Sequence, residues 1–79
     1  MTRDYYGESR VLGVDLWEAG YKEWADKLDA VIQSGSTATE ILMGIRRTLA
    51  QLISSQPNLS RELSARAADL EREVSRVLT

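Results

Sequence analysis

SGSTATEIL, residues 34–42, decides the fold, because this run of small residues reads either as an anion-binding loop or as the boundary between two helices. A phosphate-cradling loop needs several glycines ahead of a Lys-Ser/Thr pair and a strand before it. Here there is one glycine, no lysine, and a helical pattern upstream. The phosphate reading fails. What the run does contain is Thr37 followed three residues later by Glu40. That spacing lets the threonine hydroxyl accept from the Glu40 N–H while the glutamate carboxylate reaches back to the Thr37 N–H, the reciprocal cap of a helix start. Ser36 is the alternative cap one residue earlier.

Working outward, both flanks carry helical periodicity. In YKEWADKLDAVIQSG, residues 21–35, Tyr21, Trp24, Ala25, Leu28, Val31 and Ile32 fall on one stripe, and Gly35 is expected to stop the helix in a left-handed conformation. Downstream, Ala38, Ile41, Leu42, Ile45, Leu49, Leu52 and Ile53 share a face until Pro57 forbids continuation. The last segment, LSRELSARAADLEREVSRVLT, sets Leu63, Ala67, Leu70, Val74 and Val77 at alternating spacings of four and three, with Ser60 or Asn58 as its cap. This narrow seam suits either packing within the chain or a homodimer through residues 63–77.

The segment before Gly20 is apolar on two sides. As a helix it sets Leu12, Leu16 and Ala19 on one face and Val11, Val14 and Trp17 over the other, more than one packed neighbour covers. As a strand it alternates poorly and has no partner strand. Helix is the better reading, with Gly20 closing a tight turn. Helices are therefore expected near residues 8–19, 21–34, 37–55 and 59–78. The fold class is all-α: a small antiparallel bundle of three long helices plus a shorter N-terminal helix, one domain spanning residues 1–79, with 1–7 flexible. Trp24, Leu28, Ile41, Ile45, Leu49 and Leu70 form the expected core.

Composition narrows the function. A chain of 79 residues buries only roughly 60% of the surface it exposes when unfolded, so its core is small. Without cysteine there are no disulfides or thiolate metal sites, and without histidine the commonest general base and metal ligand are both missing. No enzymatic role and no cofactor are expected. Asp26 and Asp29 at i, i+3 lack the further oxygen ligands a hard cation needs, and nothing near Glu18 and Glu23 would tune one carboxyl as an acid. The net charge of −2 has the wrong sign for a domain held by nucleic-acid phosphates. The arginines of the second half lie among acidic residues as a mixed, solubilising surface. No apolar run reaches membrane-spanning length, and MTRDYYGES has the features of neither a signal nor a transit peptide, so the cytoplasm is the expected location.

The stretch EAGYKEWADKLDAVIQSG, with its G-x-x-x-W-A-x-x-L pattern at Gly20, Trp24, Ala25 and Leu28, resembles short bacterial helical proteins, some of them immunity partners of secreted toxins. The resemblance spans residues 16–45 and implies inhibition by binding, with no catalytic residue to transfer. The acidic first half agrees with it: residues 1–35 carry four basic and seven acidic side chains, which suits masking a basic toxin. The expected partner-binding residues are Tyr5, Tyr6, Val14, Trp17, Glu23, Asp26, Asp29 and Met43. Trp17 is either the anchor of that surface or a plug at the end of the core, and Met43 lies on the polar face of the third helix. The alternative function is a homodimeric structural or regulatory protein with no inhibitory role.

Overall fold

The computed structural model describes residues 3–79, and these are all-helical: α1 (Tyr5–Glu18), α2 (Lys22–Ser34), α3 (Ala38–Ser55) and α4 (Arg61–Leu78). The main contacts run α1 to α2, α2 to α3, α3 to α4, and from α4 back to α1, so the helices close a ring around one core. Leu16, Ile45, Leu49, Leu52, Ala67 and Val74 lie at its centre with no exposed surface, and Leu12, Leu28 and Leu70 are nearly as deep. Of the expected core only Ile41 is partly exposed; it packs on the margin of the cluster.

The helix starts follow local chemistry. Thr37 caps α3, its Oγ1 accepting from the Glu40 N–H at 3.1 Å. The Glu40 carboxylate reaches one residue further back than expected, accepting from the Ser36 N–H and hydroxyl at 3.3 and 3.0 Å. Ser60 caps α4 by accepting from the Leu63 N–H at 3.2 Å. Asp4 caps α1 by accepting from the Gly7 N–H at 2.9 Å.

That last cap corrects the N-terminal reading. The first helix begins at Tyr5, not residue 8, so residues 5–7 of the stretch expected to be flexible are helical, while Met1 and Thr2 lie outside the described residues. With 14 residues α1 is not the shortest element, since α2 has 13. The cause is that Asp4 satisfies a first-turn donor, the Gly7 N–H, which a reading based on apolar periodicity passes over.

The two inter-helix glycines exchange roles. Gly20 adopts φ +97°, its N–H donating to the Trp17 carbonyl at 3.1 Å while the Tyr21 N–H donates to Leu16 at 2.8 Å. This is the paired closure of a Schellman motif, which favours glycine at the left-handed position. Gly35, expected to be left-handed, is extended at φ −71°, ψ 136°. It is small for a different reason: a Cβ there would run into Ile41.

The face of α4 that read as a heptad seam turns inward. Leu63, Ala67, Leu70 and Val74 are buried in the chain's own core, and of the five seam positions only Val77 is exposed. Ion pairs tie α4 to α1 and to the residue run just ahead of it: Arg66 to Asp15 at 2.6 Å, and Arg3, which precedes α1 and is bonded to its Glu8, to Asp69 at 2.6 Å and Glu73 at 3.6 Å. The hydrogen bond from Arg3 holds the Asp69 carboxyl below its ordinary value of 3.8. No helix among the described residues is long and apolar enough to cross a membrane.

Candidate functional site: the groove between α1 and α2

The shape of α1 follows from its wheel. Tyr5, Ser9, Leu12 and Leu16 stand at i, i+4, i+7 and i+11 and face the core, Ser9 buried with its hydroxyl donating to the Tyr5 carbonyl at 2.7 Å. The outward face then carries Val11 and Val14, each 57% exposed, and Trp17, 47% exposed. Trp17 is therefore not a core plug. Its ring lies under the Lys22 ammonium, 5.2 Å from the centroid, which steadies the side chain without removing it from solvent.

Between this face and α2 runs a groove of about 440 Å³. Its α1 wall is Arg10, Gly13, Val14 and Trp17, and its α2 wall includes Asp26, Leu28, Asp29 and Ile32. Gly13 lines the groove, and a Cβ at that position would stand in open space with nothing within 4 Å. The missing side chain leaves a notch beside Val14 and Trp17, floored by Leu28 and Ile32, which are otherwise core.

The electrostatics of this groove differ from those of its neighbour. A second hollow, about 460 Å³, lies between α1 and α4, lined by Asp4, Gly7, Glu8, Val11, Leu12, Arg66, Asp69 and Leu70. Its charged groups are largely neutralised by residues at its margin, Glu8 and Asp69 pairing with Arg3 and Arg66 with Asp15. In the α1–α2 groove, Arg10, Glu18, Asp26 and Asp29 form no ion pair among the described residues, and Asp29 accepts only from the Gln33 amide at 2.7 Å. Apolar surface next to unmatched carboxylates is what a binding face for a cationic partner requires.

The structure brings together four of the eight expected site residues: Val14, Trp17, Asp26 and Asp29. The other four lie elsewhere. Tyr5 and Tyr6 are half-buried against the core and line a smaller hollow with Leu42. Glu23 is exposed and paired to Lys27 at 3.6 Å. Met43 is exposed on α3, outside the groove. Sequence reasoning missed Arg10 and Gly13. The signal for Gly13 was its place inside a helix, where glycine is unfavourable by about 1 kcal/mol against alanine unless a close approach or an opening uses it.

No group of three or more Asp or Glu side chains among the described residues is arranged to hold a metal ion. The chain matches no protein-family model, no curated protein and no solved structure.

Proposed function

We propose that the chain is a non-enzymatic protein-binding module built on an antiparallel helical bundle, which masks a basic partner protein by docking it along the α1–α2 groove. An immunity- or antitoxin-like inhibitor is the most concrete form of this reading. One observation carries it: an exposed aromatic and aliphatic strip, Val14 and Trp17, borders unmatched Asp26 and Asp29 in a single groove. Aromatic side chains dominate the energetics of interfaces, and carboxylates at the rim steer a cationic partner without needing to be buried.

The roles divide accordingly. Trp17 and Val14 supply apolar contact that slows dissociation, the Gly13 notch admits an anchoring side chain of the partner, and Asp26 and Asp29 accelerate encounter. Attraction between exposed charges is screened beyond about 8 Å at physiological ionic strength, so association should slow steeply as salt rises.

The test is affinity capture from the source organism with the wild-type chain, Trp17→Ala and the pair Asp26→Lys/Asp29→Lys, followed by reconstitution with the purified partner. A partner held by the wild type should dissociate faster from Trp17→Ala, at a cost of about 2 kcal/mol, and associate more slowly with the charge-reversed pair. The partner's own activity should fall on binding. Unchanged binding by both variants, with their helicity intact, removes the groove from the interface.

A further inference from the structure

The outward face of α1, part of which forms one wall of the groove, has an internal symmetry. Val14 is its midpoint. Three residues to either side stand Val11 and Trp17, and four residues to either side stand Arg10 and Glu18, all exposed. At about 100° per residue these four fall within roughly 60° of the direction of Val14, opposite the buried Leu12 and Leu16. Arg10 and Glu18 have opposite charge, and neither forms an ion pair among the described residues.

We infer that α1 is the interface of a two-fold symmetric dimer, in which α1 of one copy packs antiparallel to α1 of a second across Val14. A two-fold axis at Val14 places residues equally far before and after it level with one another on the two copies. Val14 then meets Val14, Val11 lies level with Trp17 of the second copy, and Arg10 lies level with Glu18 of the second copy. Because the contact is isologous, each attractive pair occurs twice. At an interaxial distance of about 8–10 Å, the Cβ atoms of Arg10 and the opposing Glu18 come within about 6 Å, close enough for their side chains to pair. A parallel pairing would instead set arginine against arginine and glutamate against glutamate, so the charges select the antiparallel one.

Charge complementarity thus names the occupant of this face as the chain itself. The interface is small, one helix from each copy, well under the roughly 1,600 Å² of a standard complex, so the dimer is weak and concentration-dependent. It shares Arg10, Val14, Trp17 and Glu18 with the groove proposed for the partner, so a bound partner and a second copy exclude each other. The dimer does not rest on the partner reading, since it is measured on the pure chain alone.

Sedimentation equilibrium of the pure chain, from about 10 μM to about 2 mM, spans the range in which so small an interface associates. The wild type should shift from monomer to dimer across it. Arg10→Glu and Glu18→Arg should each weaken dimerisation roughly tenfold by placing like charges opposite one another twice, and the double variant should recover it. Val14→Cys, in a chain without other cysteines, should cross-link to a covalent dimer on mild oxidation, because residues on the two-fold axis face their own copies. All three positions are exposed, so circular dichroism should show unchanged helicity. A chain monomeric at about 2 mM overturns the inference. So do single charge variants that associate as the wild type does, a double variant no better than the singles, or a dimer that Val14→Cys fails to cross-link.

Discussion

α1 and α3 show two ways of arranging apolar side chains on a helix. In α3 they converge: Ile45, Leu49 and Leu52 are buried, Ile41, Leu42 and Ile53 pack against the same cluster, and Met43 alone among the large apolar residues stands off. In α1 they diverge: Leu12 and Leu16 go inward, while Val11, Val14 and Trp17 stay in solvent. The interior glycines repeat the contrast. A Cβ at Gly44 of α3 would lie 2.9 Å from the Val31 Cβ, so glycine there permits close packing against α2. A Cβ at Gly13 of α1 would meet nothing, so glycine there leaves a notch open. α3 is shaped by its neighbours, whereas α1 keeps one face that the other described residues leave largely exposed.

The sharpest way to break this contrast is to truncate a side chain on each helix. Leu49→Ala should destabilise the fold by about 2–5 kcal/mol in urea or thermal unfolding, because Leu49 has no exposed surface and truncation leaves a cavity. A loss below about 0.5 kcal/mol would mean that α3 is not at the centre of the core. Next comes Gly44→Ala. The new methyl group gains helix propensity but must push Val31 aside, and overpacking by one methyl outweighs propensity, for a net loss of about 1 kcal/mol. A smaller change of opposite sign is expected for Gly13→Ala, which should stabilise by about 0.5–1 kcal/mol because the added methyl enters open space on a helix. If both glycine variants move the midpoint in the same direction, the contrast between the helices does not hold. The smallest effect belongs to Val14→Ala, within about 0.5 kcal/mol, since its side chain touches little that folding buries.

Much of this is legible in the sequence, and where it is, the reason is local. The stripe of α2, from Trp24 to Ile32, and that of α3 identified the core because a period of 3.6 has one strong interpretation when polar residues fill the other side. Thr37 and Ser60 announced their helices through side chains three residues ahead of the donors they cap. α1 was harder because apolar residues on both faces cancel the periodic signal, and its cap, Asp4, sits in a polar stretch that looks like a loose end. The seam on α4 was visible, but its destination was not: a spacing of four and three serves an intramolecular neighbour as well as a second chain. The candidate groove needed two helices at once. Trp17 and Asp26 are nine residues apart with a turn between them, and only the turn at Gly20 brings them to the same groove. Gly13 acquires meaning only once α2 is seen beside it.

The ion pairs that join α1 to α4 have a kinetic consequence. The other principal contacts of the ring link helices adjacent in sequence and form after short loop closures, whereas Arg3 to Asp69 spans 66 positions and Arg66 to Asp15 spans 51. Closing the longest loop carries the largest entropic penalty, so this joint belongs after the folding transition state and should be among the first to part on unfolding. Arg3→Gln and Asp15→Asn should therefore steepen neither arm of a stopped-flow chevron, leave the refolding rate nearly untouched and accelerate unfolding. A slowed refolding limb would put ring closure in the nucleus instead. If it closes last, the α1–α4 seam is the joint that parts first, while α1 stays packed on α2 and α4 on α3, and hydrogen exchange should find protection lost along that seam before it is lost between sequence neighbours.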